Sequence, residues 1–231
     1  MMVSGIVVAA GKGKRMGATI RKQYIALAGR SILGITLQAL DRCRRFDRVF
    51  LVVPEEDFAF CRERILTPLS FGEKVVLVGG GKERQDSVYH GLLAAEKFGG
   101  IVLIHDGVRP FVDPETVAEC IETAKHFGAC IAATRVTETV KKTAAPEARA
   151  VERTLDRETL WIAQTPQAFR YELIRRAHEA ARRSGVRGTD DALLVEQMGE
   201  AVRIVPGSRF NIKITTPEDL QMAEAILSVT R

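Results

Sequence analysis

The chain has 231 residues, 46% of them hydrophobic and 27% charged, which is enough to bury a full core within a single domain. Its 34 Lys and Arg outnumber 29 Asp and Glu, and the resulting net charge of +5 suits anionic small molecules but argues against a nucleic-acid binder. Four cysteines without a C-x-x-C pair argue against structural zinc and fit a cytoplasmic protein, and no apolar run is long enough to span a membrane.

Short apolar segments alternate with helical patterns along the first 136 residues. The predicted strands, each almost continuously apolar as in parallel strands covered on both faces, are 5–10, 48–53, 74–79, 100–106 and 129–136. The predicted helices between them are 31–42, 55–65, 84–98 and 114–127. This alternation predicts an α/β three-layer sandwich with a mostly parallel, Rossmann-like sheet, in which ligands bind at the carboxyl ends of the strands.

Segment 137–160 interrupts this alternation with short polar and β-prone pieces and no long helix. A stretch of this length without a core of its own usually serves a function or packs on a partner. We therefore expect a protruding β-arm at about 137–160 within one domain that spans 1–231. Beyond the arm, the pattern predicts helices at 171–184 and from 217, a strand at 202–206 and a short strand around Lys213.

The first predicted strand runs into "GKGKRMGATIRKQY" (11–24), where glycines such as Gly13 alternate with basic residues. Glycine lets backbone N–H groups approach a triphosphate closely, and Arg15 and Lys22 would bring positive charge to its α-phosphate. The loop lacks the G-K-[ST] ending of a P-loop. It also departs from G-x-G-x-x-G, which argues against a nicotinamide-dependent dehydrogenase. A solvated basic loop without a ligand is the alternative for this segment taken alone.

A second glycine-rich segment, "GGGKERQDS" (79–87), follows the third predicted strand. Gly80 and Gly81 would allow a ligand to approach the backbone, and Ser87 lies near the start of the next predicted helix. Taken alone, an ordinary glycine turn before a capped helix explains this segment as well.

Two charged positions complete the candidate site. In "HDGVRP" (105–110), Asp106 is placed to bind a ribose hydroxyl or a metal-bound water, and a structural ion pair with Arg109 is the alternative interpretation. Lys213 stands between apolar residues of "NIKITTP", where its ammonium must reach an anion or the solvent. No chemistry is assigned to the four histidines, His90, His105, His126 and His178.

Taken together, the motifs resemble those of the 2-C-methyl-D-erythritol 4-phosphate cytidylyltransferases, within the sugar-phosphate nucleotidyltransferase superfamily. The resemblance covers nearly the whole chain through "AAGKGKRMG", "KQY", "GGKERQDSV", "HDGVRPF", "TETVKK", "LDRETLWIAQTPQAF", "GTDDALLVEQMG" and "NIKITTPEDL". It implies transfer of the cytidylyl group of CTP to methylerythritol phosphate, with release of pyrophosphate, in the non-mevalonate route to isoprenoid precursors. The attacking phosphate oxygen is ionised at neutral pH, so no general base is needed.

The resemblance also implies roles for individual residues. The catalytic set comprises Arg15, Lys22, Arg157 and Lys213. The substrate-binding set comprises Ala9, Ala10, Gly11, Gly13, Gly80, Gly81, Ser87, Asp106, Arg109, Thr139, Thr165 and Asp190. Mg²⁺ is expected mainly on the triphosphate oxygens, with Asp106 as a contact through water. A homodimer is expected through the arm, which would carry Arg157 into the partner's site.

Departures from the family pattern bear on the acceptor. Gly107 and Val108 replace the residues usual in "HDAARP", and Lys82 stands where the family has Asp. The first departure is similar to the pentitol-phosphate cytidylyltransferases, so ribitol 5-phosphate is the alternative acceptor. Methylerythritol phosphate is favoured because "LDRETLW" and "GTDDALLVEQM" fit that branch better. A nucleotide-binding module without turnover and an RNA-binding protein are the alternatives from other classes, and sparse aromatic residues argue against the latter.

Overall fold

The structure, a computed structural model, describes residues 1–11 and 20–229, so Gly13 and Arg15 lie outside the described residues. The strands in the described part are β1 (Val3–Val8), β2 (Ala26–Leu27), β3 (Arg30–Ser31), β4 (Arg48–Val53), β5 (Val75–Gly79), β6 (Ile101–Asp106), β7 (Ala129–Arg135), β8 (Lys141–Thr143), β9 (Val151–Thr154), β10 (Trp161–Arg170) and β11 (Arg203–Pro206). The α-helices there are α1 (Ile32–Arg42), α2 (Phe58–Cys61), α3 (Arg84–Ala95), α4 (Pro114–Phe127), α5 (Tyr171–Ser184), α6 (Asp191–Glu196) and α7 (Pro217–Val229).

Among the described strands, seven form the central sheet, in the order β11-β7-β10-β6-β1-β4-β5. Strand β10 runs antiparallel to both of its neighbours, β6 and β7, whereas the other adjacent pairs are parallel. The predicted α/β class is therefore confirmed, with a sheet that is mixed rather than uniformly parallel. The sequence pattern did not predict β10, because Gln164, Thr165, Pro166 and Gln167 interrupt its apolar character. The register of β10 against β7 shifts across this stretch, where a proline is tolerated.

Helices cover both faces of the sheet, which gives the three predicted layers. Leu33 and Leu37 of α1 pack in one apolar cluster with Val117 of α4. Leu92 of α3 and Ile174 of α5 belong to the cluster on the opposite face. Because the central strands are covered twice, their side chains are buried on both sides, as the continuous apolar runs predicted.

A third apolar cluster holds the segment around Lys213 beside the end of β6. Leu27, Val108, Ile214 and Ala223 of α7 form its centre. Residues 211–216 do not form the short strand predicted around Lys213, because their backbone bonds go to loops: the Ile214 amide donates to the Val108 carbonyl at 3.0 Å. The chain nevertheless brings Lys213 to the carboxyl end of β6.

Local signals placed helices α4 and α5 accurately, and α5 spans the predicted residues 171–184. Helix α4 begins at Pro114 and ends at Phe127, as predicted, and the Asp113 side chain caps it by accepting a bond from the Thr116 amide. The single helix predicted over 55–65 is instead a succession of short 3₁₀, α and π turns between Glu55 and Leu66.

The segment 137–160 contains β8 and β9, which pair antiparallel in a small sheet separate from the central one. Most of its side chains are exposed, and Val151 of β9 is 58% exposed. Its function as a dimerisation arm stays a prediction. In the described residues, no helix has both the length and the apolar character needed to cross a bilayer.

Close packing of α3 on β1 gives the first testable prediction. A Cβ atom at Gly91 of α3 would lie 2.7 Å from Cγ2 of Ile6 in β1. Replacing glycine by alanine in a helix normally stabilises it by about 1 kcal/mol. We expect Gly91→Ala to lower the free energy of unfolding by about 1–3 kcal/mol, because overpacking outweighs helix propensity. Urea unfolding of both proteins measures the change, and a gain in stability would contradict the prediction.

Candidate active site

A cleft of about 390 Å³ opens at the carboxyl edge of β1, β5 and β6, where the sequence predicted ligand binding. Its lining residues in the described part of the chain are Val8, Ala9, Ala10, Gly11, Lys22, Gln23, Gly81, Lys82, Glu83, Arg84, Ser87, Asp106, Val108 and Lys213. The fold therefore brings together predicted site residues from four separate parts of the chain. Of the described predicted residues, the lining does not include Gly80, Arg109, Thr139, Arg157, Thr165 and Asp190.

Two loops meet at the floor of the cleft. The amide of Gly80, after β5, donates to the Val53 carbonyl of β4 at 2.8 Å. A Cβ atom at Gly80 would lie only 2.3 Å from the Cβ of Ala10, which follows β1. Glycine is thus required at position 80 because the two loops touch there.

Side chains fix the backbone of both loops. The amide of Gly81 donates to Oγ of Ser87 at 3.0 Å, and that hydroxyl donates to the Glu83 carbonyl at 3.1 Å. On the other loop, the side-chain amide of the buried Gln23 donates through Nε2 to the Ala9 carbonyl at 2.7 Å. Ser87 was predicted to contact the ligand, and Gln23 was not singled out, although it lies within the quoted "KQY" motif. Both hold backbone that faces the cleft.

The basic residues of the first loop have different partners. Nη2 of Arg21 lies 2.6 Å from a Glu56 oxygen, and Nε lies 3.1 Å from Asp57, so Arg21 is paired with acidic residues after β4. Lys22 begins the 3₁₀ turn Lys22–Tyr24 and lines the cleft. Of these two adjacent cations, Lys22 rather than Arg21 is therefore the one that lines the cleft.

Asp106 is the buried carboxylate of the site. Its Oδ1 accepts a bond from Nε of Arg84 at 3.1 Å, and its Oδ2 lies 2.6 Å from Nζ of Lys213. Nε of Arg109 is more distant, 3.9 Å from Oδ2. Burial alone would raise the pKa of the Asp106 carboxyl, but the charges of Arg84 and Lys213 hold that pKa well below its ordinary value. Asp106 is therefore ionised at neutral pH.

His105 holds the backbone on both sides of Asp106. Its Nε2 lies 3.0 Å from the Arg109 carbonyl, which can only accept, so the ring proton is on Nε2. Nδ1 then accepts from the Thr165 hydroxyl at 3.1 Å, and the Thr165 oxygen accepts from the Asp106 amide. Burial lowers the pKa of His105 to about 4, which keeps the ring neutral. The sequence alone assigns no chemistry to His105, and the structure gives it a supporting role beside the cleft.

The predicted substrate neighbours outside the lining have partners of their own. The Asp190 carboxylate caps α6 by accepting from the Leu193 amide at 3.0 Å, and it also accepts from Gln167 at 2.8 Å. Arg109 donates to the Asn211 carbonyl at 2.6 Å, which ties the end of β6 to the segment before Lys213. These contacts place both side chains in the scaffold around the cleft.

Two predicted residues lie in the segment 137–160 rather than at the cleft of the same chain. Arg157 begins the 3₁₀ turn Arg157–Thr159, with a half-exposed side chain that donates to the Thr137 carbonyl at 2.9 Å. Thr139 is exposed in the same segment. The fold of one chain thus does not bring them to Lys22 and Lys213.

The donor groups of the cleft decide whether it could hold a metal ion. Both oxygens of Asp106 are already engaged, by Arg84 and Lys213. Across residues 1–11 and 20–229, no group of three or more His, Cys, Asp or Glu side chains could hold a metal ion. The described protein groups therefore do not fit as a dedicated metal cage.

Comparison with known proteins gives a consistent family description. The model of the IspD family, 2-C-methyl-D-erythritol 4-phosphate cytidylyltransferase, matches residues 3–229. A protein of that name from Geobacter metallireducens is 46% identical over 230 residues and covers 98% of each chain. One from Geobacillus kaustophilus is 48% identical over 231 residues, 99% of this chain and 98% of that one.

Solved structures agree with the sequence comparison. The 4-diphosphocytidyl-2C-methyl-D-erythritol synthase of Anaerococcus prevotii superimposes with a TM-score of 0.88 at 35% identity, over 98% of this chain and 96% of that one. The 2-C-methyl-D-erythritol 4-phosphate cytidylyltransferase of Thermus thermophilus gives 0.80 at 36% identity, over 99% and 100%.

Burial of neutral His105 predicts a pH dependence of stability. The unfolded chain takes up a proton at this ring below its ordinary pKa of 6.5, whereas the folded chain does so only near 4. The stabilisation that comes from neutral His105 is therefore fully present above pH 6.5. The free energy of unfolding then falls by up to about 3 kcal/mol as the pH drops to 4. The neighbouring carboxylates Asp106 and Asp191 have lowered pKa values, so their contributions are lost below this window.

Denaturant unfolding of wild type and His105→Gln between pH 7 and pH 4 tests this assignment. Glutamine cannot be protonated, so we expect a shallower loss of stability across the window, whatever the absolute stability of the variant. His126→Gln changes an exposed histidine on α4 and is expected to keep the wild-type slope. An unchanged slope in His105→Gln would show that another group carries the dependence.

Proposed function

The chain belongs to the family of 2-C-methyl-D-erythritol 4-phosphate cytidylyltransferases, and on that premise we propose how its cleft carries the reaction. The enzyme transfers the cytidylyl group of CTP to 2-C-methyl-D-erythritol 4-phosphate and releases pyrophosphate in the non-mevalonate pathway. The observation that supports the residue roles is the meeting of both glycine-containing loops, Lys22 and the Asp106–Lys213 pair in one cleft. The ribitol 5-phosphate alternative is not favoured, because the matched family acts on methylerythritol phosphate.

CTP is proposed to bind with its base against the two loops. The two loops touch, since a Cβ at Gly80 would strike Ala10, and Ala9, Ala10, Gly11 and Gly81 line the cleft beside this contact without large side chains. Fixed backbone donors and acceptors recognise a base without conformational adjustment. Ser87 contributes by holding the Gly81 amide in place.

The triphosphate is proposed to extend toward Lys22. The amino end of α3 also opens on the cleft, and its helix dipole favours a negative charge there, while the capping box of Glu83 and Asp86 takes the N–H groups of these two residues. Lys22, with Arg15 outside the described residues, is proposed to stabilise the charge that builds up as the α-phosphorus becomes five-coordinate.

Lys213 is proposed to hold the sugar phosphate, and Arg157 is proposed to reach the same phosphate from a second subunit. Lys213 is 37% exposed and paired with Asp106, so its ammonium still has donors free to meet an anion. Arg157 and Thr139 lie on the exposed arm segment of their own chain. A homodimer in which each arm completes the partner's site accounts for that position.

The chemical step is an in-line displacement. An ionised oxygen of the sugar phosphate attacks the α-phosphorus of CTP, a new P–O bond forms, and the bond to pyrophosphate breaks. The main obstacle is bringing two phosphorylated molecules together, so fixed cations that offset this repulsion carry most of the catalysis. We propose that Mg²⁺ bound with the triphosphate would neutralise part of its charge, and the described protein groups form no dedicated cage for it.

A reducing compartment is proposed for the protein. The four cysteines, Cys43, Cys61, Cys120 and Cys130, are all unpaired thiols. Burial raises the pKa of Cys61, and it also raises the pKa of Cys43 to about 11, which keeps both thiols protonated and unreactive. These properties fit the cytoplasm.

Lys22→Ala tests the proposed charge stabilisation. We expect kcat to fall by about a hundredfold or more, with a much smaller change in KM for CTP, because the lysine acts mainly on the transition state. Pyrophosphate release measures both constants. Arg21→Ala is the matched control, since it removes the same charge one residue earlier from a side chain paired with Glu56 and Asp57. Equal losses in the two variants would contradict a specific role for Lys22.

Subunit complementation tests whether Arg157 acts across the dimer. Arg157→Ala and Lys22→Ala chains, each weakly active alone, are mixed, unfolded and refolded together. If Arg157 serves the partner's site, one site in each mixed dimer regains both residues and activity rises well above that of either variant. If Arg157 serves its own chain, every site lacks one residue, so no recovery would refute the arrangement.

A further inference from the structure

Arg84, the first residue of α3, joins two buried carboxylates that lie on different elements. Its Nε donates to Oδ1 of Asp106 at 3.1 Å, and its Nη1 donates to Oδ2 of Asp191 at 2.8 Å. Asp191 belongs to α6 and is 1% exposed, and its other oxygen accepts from Nε2 of the fully buried His178 at 3.1 Å. These groups form a hydrogen-bonded network that runs from the helical layer to the cleft.

The charges in this network stabilise one another in their ionised forms. Burial alone would lower the pKa of Arg84, but Asp191 and Asp106 raise it above its ordinary value. Burial alone would raise the pKa of Asp191, whereas Arg84 and His178 hold it below the ordinary value. Both groups are ionised at neutral pH. Removing one member would leave a buried charge without its partner, so their relative positions are strongly constrained.

The network ends at the Lys213 ammonium. A carboxylate can rotate about its terminal torsion, whose preference is broad. In Asp106, Arg84 engages one oxygen, so the other is oriented and meets Lys213 at 2.6 Å. The lysine then has two further N–H donors for a phosphate.

We propose that Arg84 and Asp191 are positioning residues, which fix the Asp106 carboxylate and through it present the Lys213 ammonium to the sugar phosphate. The inference rests on the proposed role of Lys213. Arginine is required at position 84 because its planar fork supplies Nε and Nη1 to two carboxylates at once, whereas a lysine ammonium is a single point charge.

A double-mutant cycle between positions 84 and 213 tests this coupling. We expect Arg84→Lys to raise the KM for methylerythritol phosphate about tenfold, within the range of measured coupling energies, with little change in KM for CTP. Lys213→Ala should raise the same KM further. In the Lys213→Ala background, Arg84→Lys should have no additional effect, because the group through which it acts is gone.

Two variants keep the cycle decisive. Asp191→Asn preserves the shape of the side chain and removes its charge, so it should raise the sugar-phosphate KM only while Lys213 is present. It replaces Arg84→Lys in the cycle should that variant fold poorly, as judged by circular dichroism and thermal unfolding. Arg187→Lys is the matched control, since Arg187 is 78% exposed and only 3.8 Å from its partner Glu83; its KM values should equal those of wild type.

The possible failures are distinguishable. Equal multiplication of KM by Arg84→Lys in both backgrounds would mean that Arg84 contacts the substrate or supports the fold generally, which overturns the positioning role. An unchanged KM in Arg84→Lys alone would overturn it as well. An unchanged KM in Lys213→Ala would instead refute the proposed role of Lys213, and the positioning role with it.

Discussion

The carboxylate of Asp106 is buried at the end of the central strand β6, and the arrangement of the cleft depends on it. A buried carboxylate is costly unless cations and hydrogen bonds compensate it, and here Arg84 and Lys213 each take one oxygen. The same contacts hold two cations at defined positions that mutual repulsion would otherwise separate. Asp106 thus acts as a fixed counter-charge that holds positive groups at the edge of the cleft.

Backbone contacts form the other half of the cleft. The loops after β1 and β5 touch at Ala10 and Gly80, and Gln23 and Ser87 hold their peptide groups from behind. Because parallel strands β1, β4 and β5 end at the same edge, these loops are neighbours without being adjacent in sequence.

Much of the fold could be predicted because local signals carry it. The apolar strands and the capped helix α4 follow from patterns of a few residues. Strand β10 could not be predicted, since buried Gln164, Thr165 and Gln167 are stabilised by partners distant in sequence, such as Asp190 and Asn211. The strand expected around Lys213 is wrong for the same reason, because its backbone partners lie in loops.

The candidate site shows the same division. The glycine loops and Asp106 could be recognised from their positions at the ends of predicted strands, and Lys213 from its apolar neighbours in the sequence. Arg84, Asp191 and His105 could not, since their importance lies in contacts between elements that are 22 to 107 residues apart, as for the two partners of Arg84. A sequence pattern identifies groups that face a ligand more readily than groups that orient them.

The surroundings of His105 exclude it as a general base, and the reaction does not need one. Its two ring nitrogens are occupied by the Arg109 carbonyl and the Thr165 hydroxyl, and burial keeps it neutral, so it is unavailable to move a proton. A phosphate monoester is already ionised and can attack without a base. A histidine that stays neutral and structural therefore does not slow the reaction. What the reaction requires is charge held still, and at Lys213 the fold supplies it through the buried Asp106 carboxylate, whose other oxygen Arg84 engages.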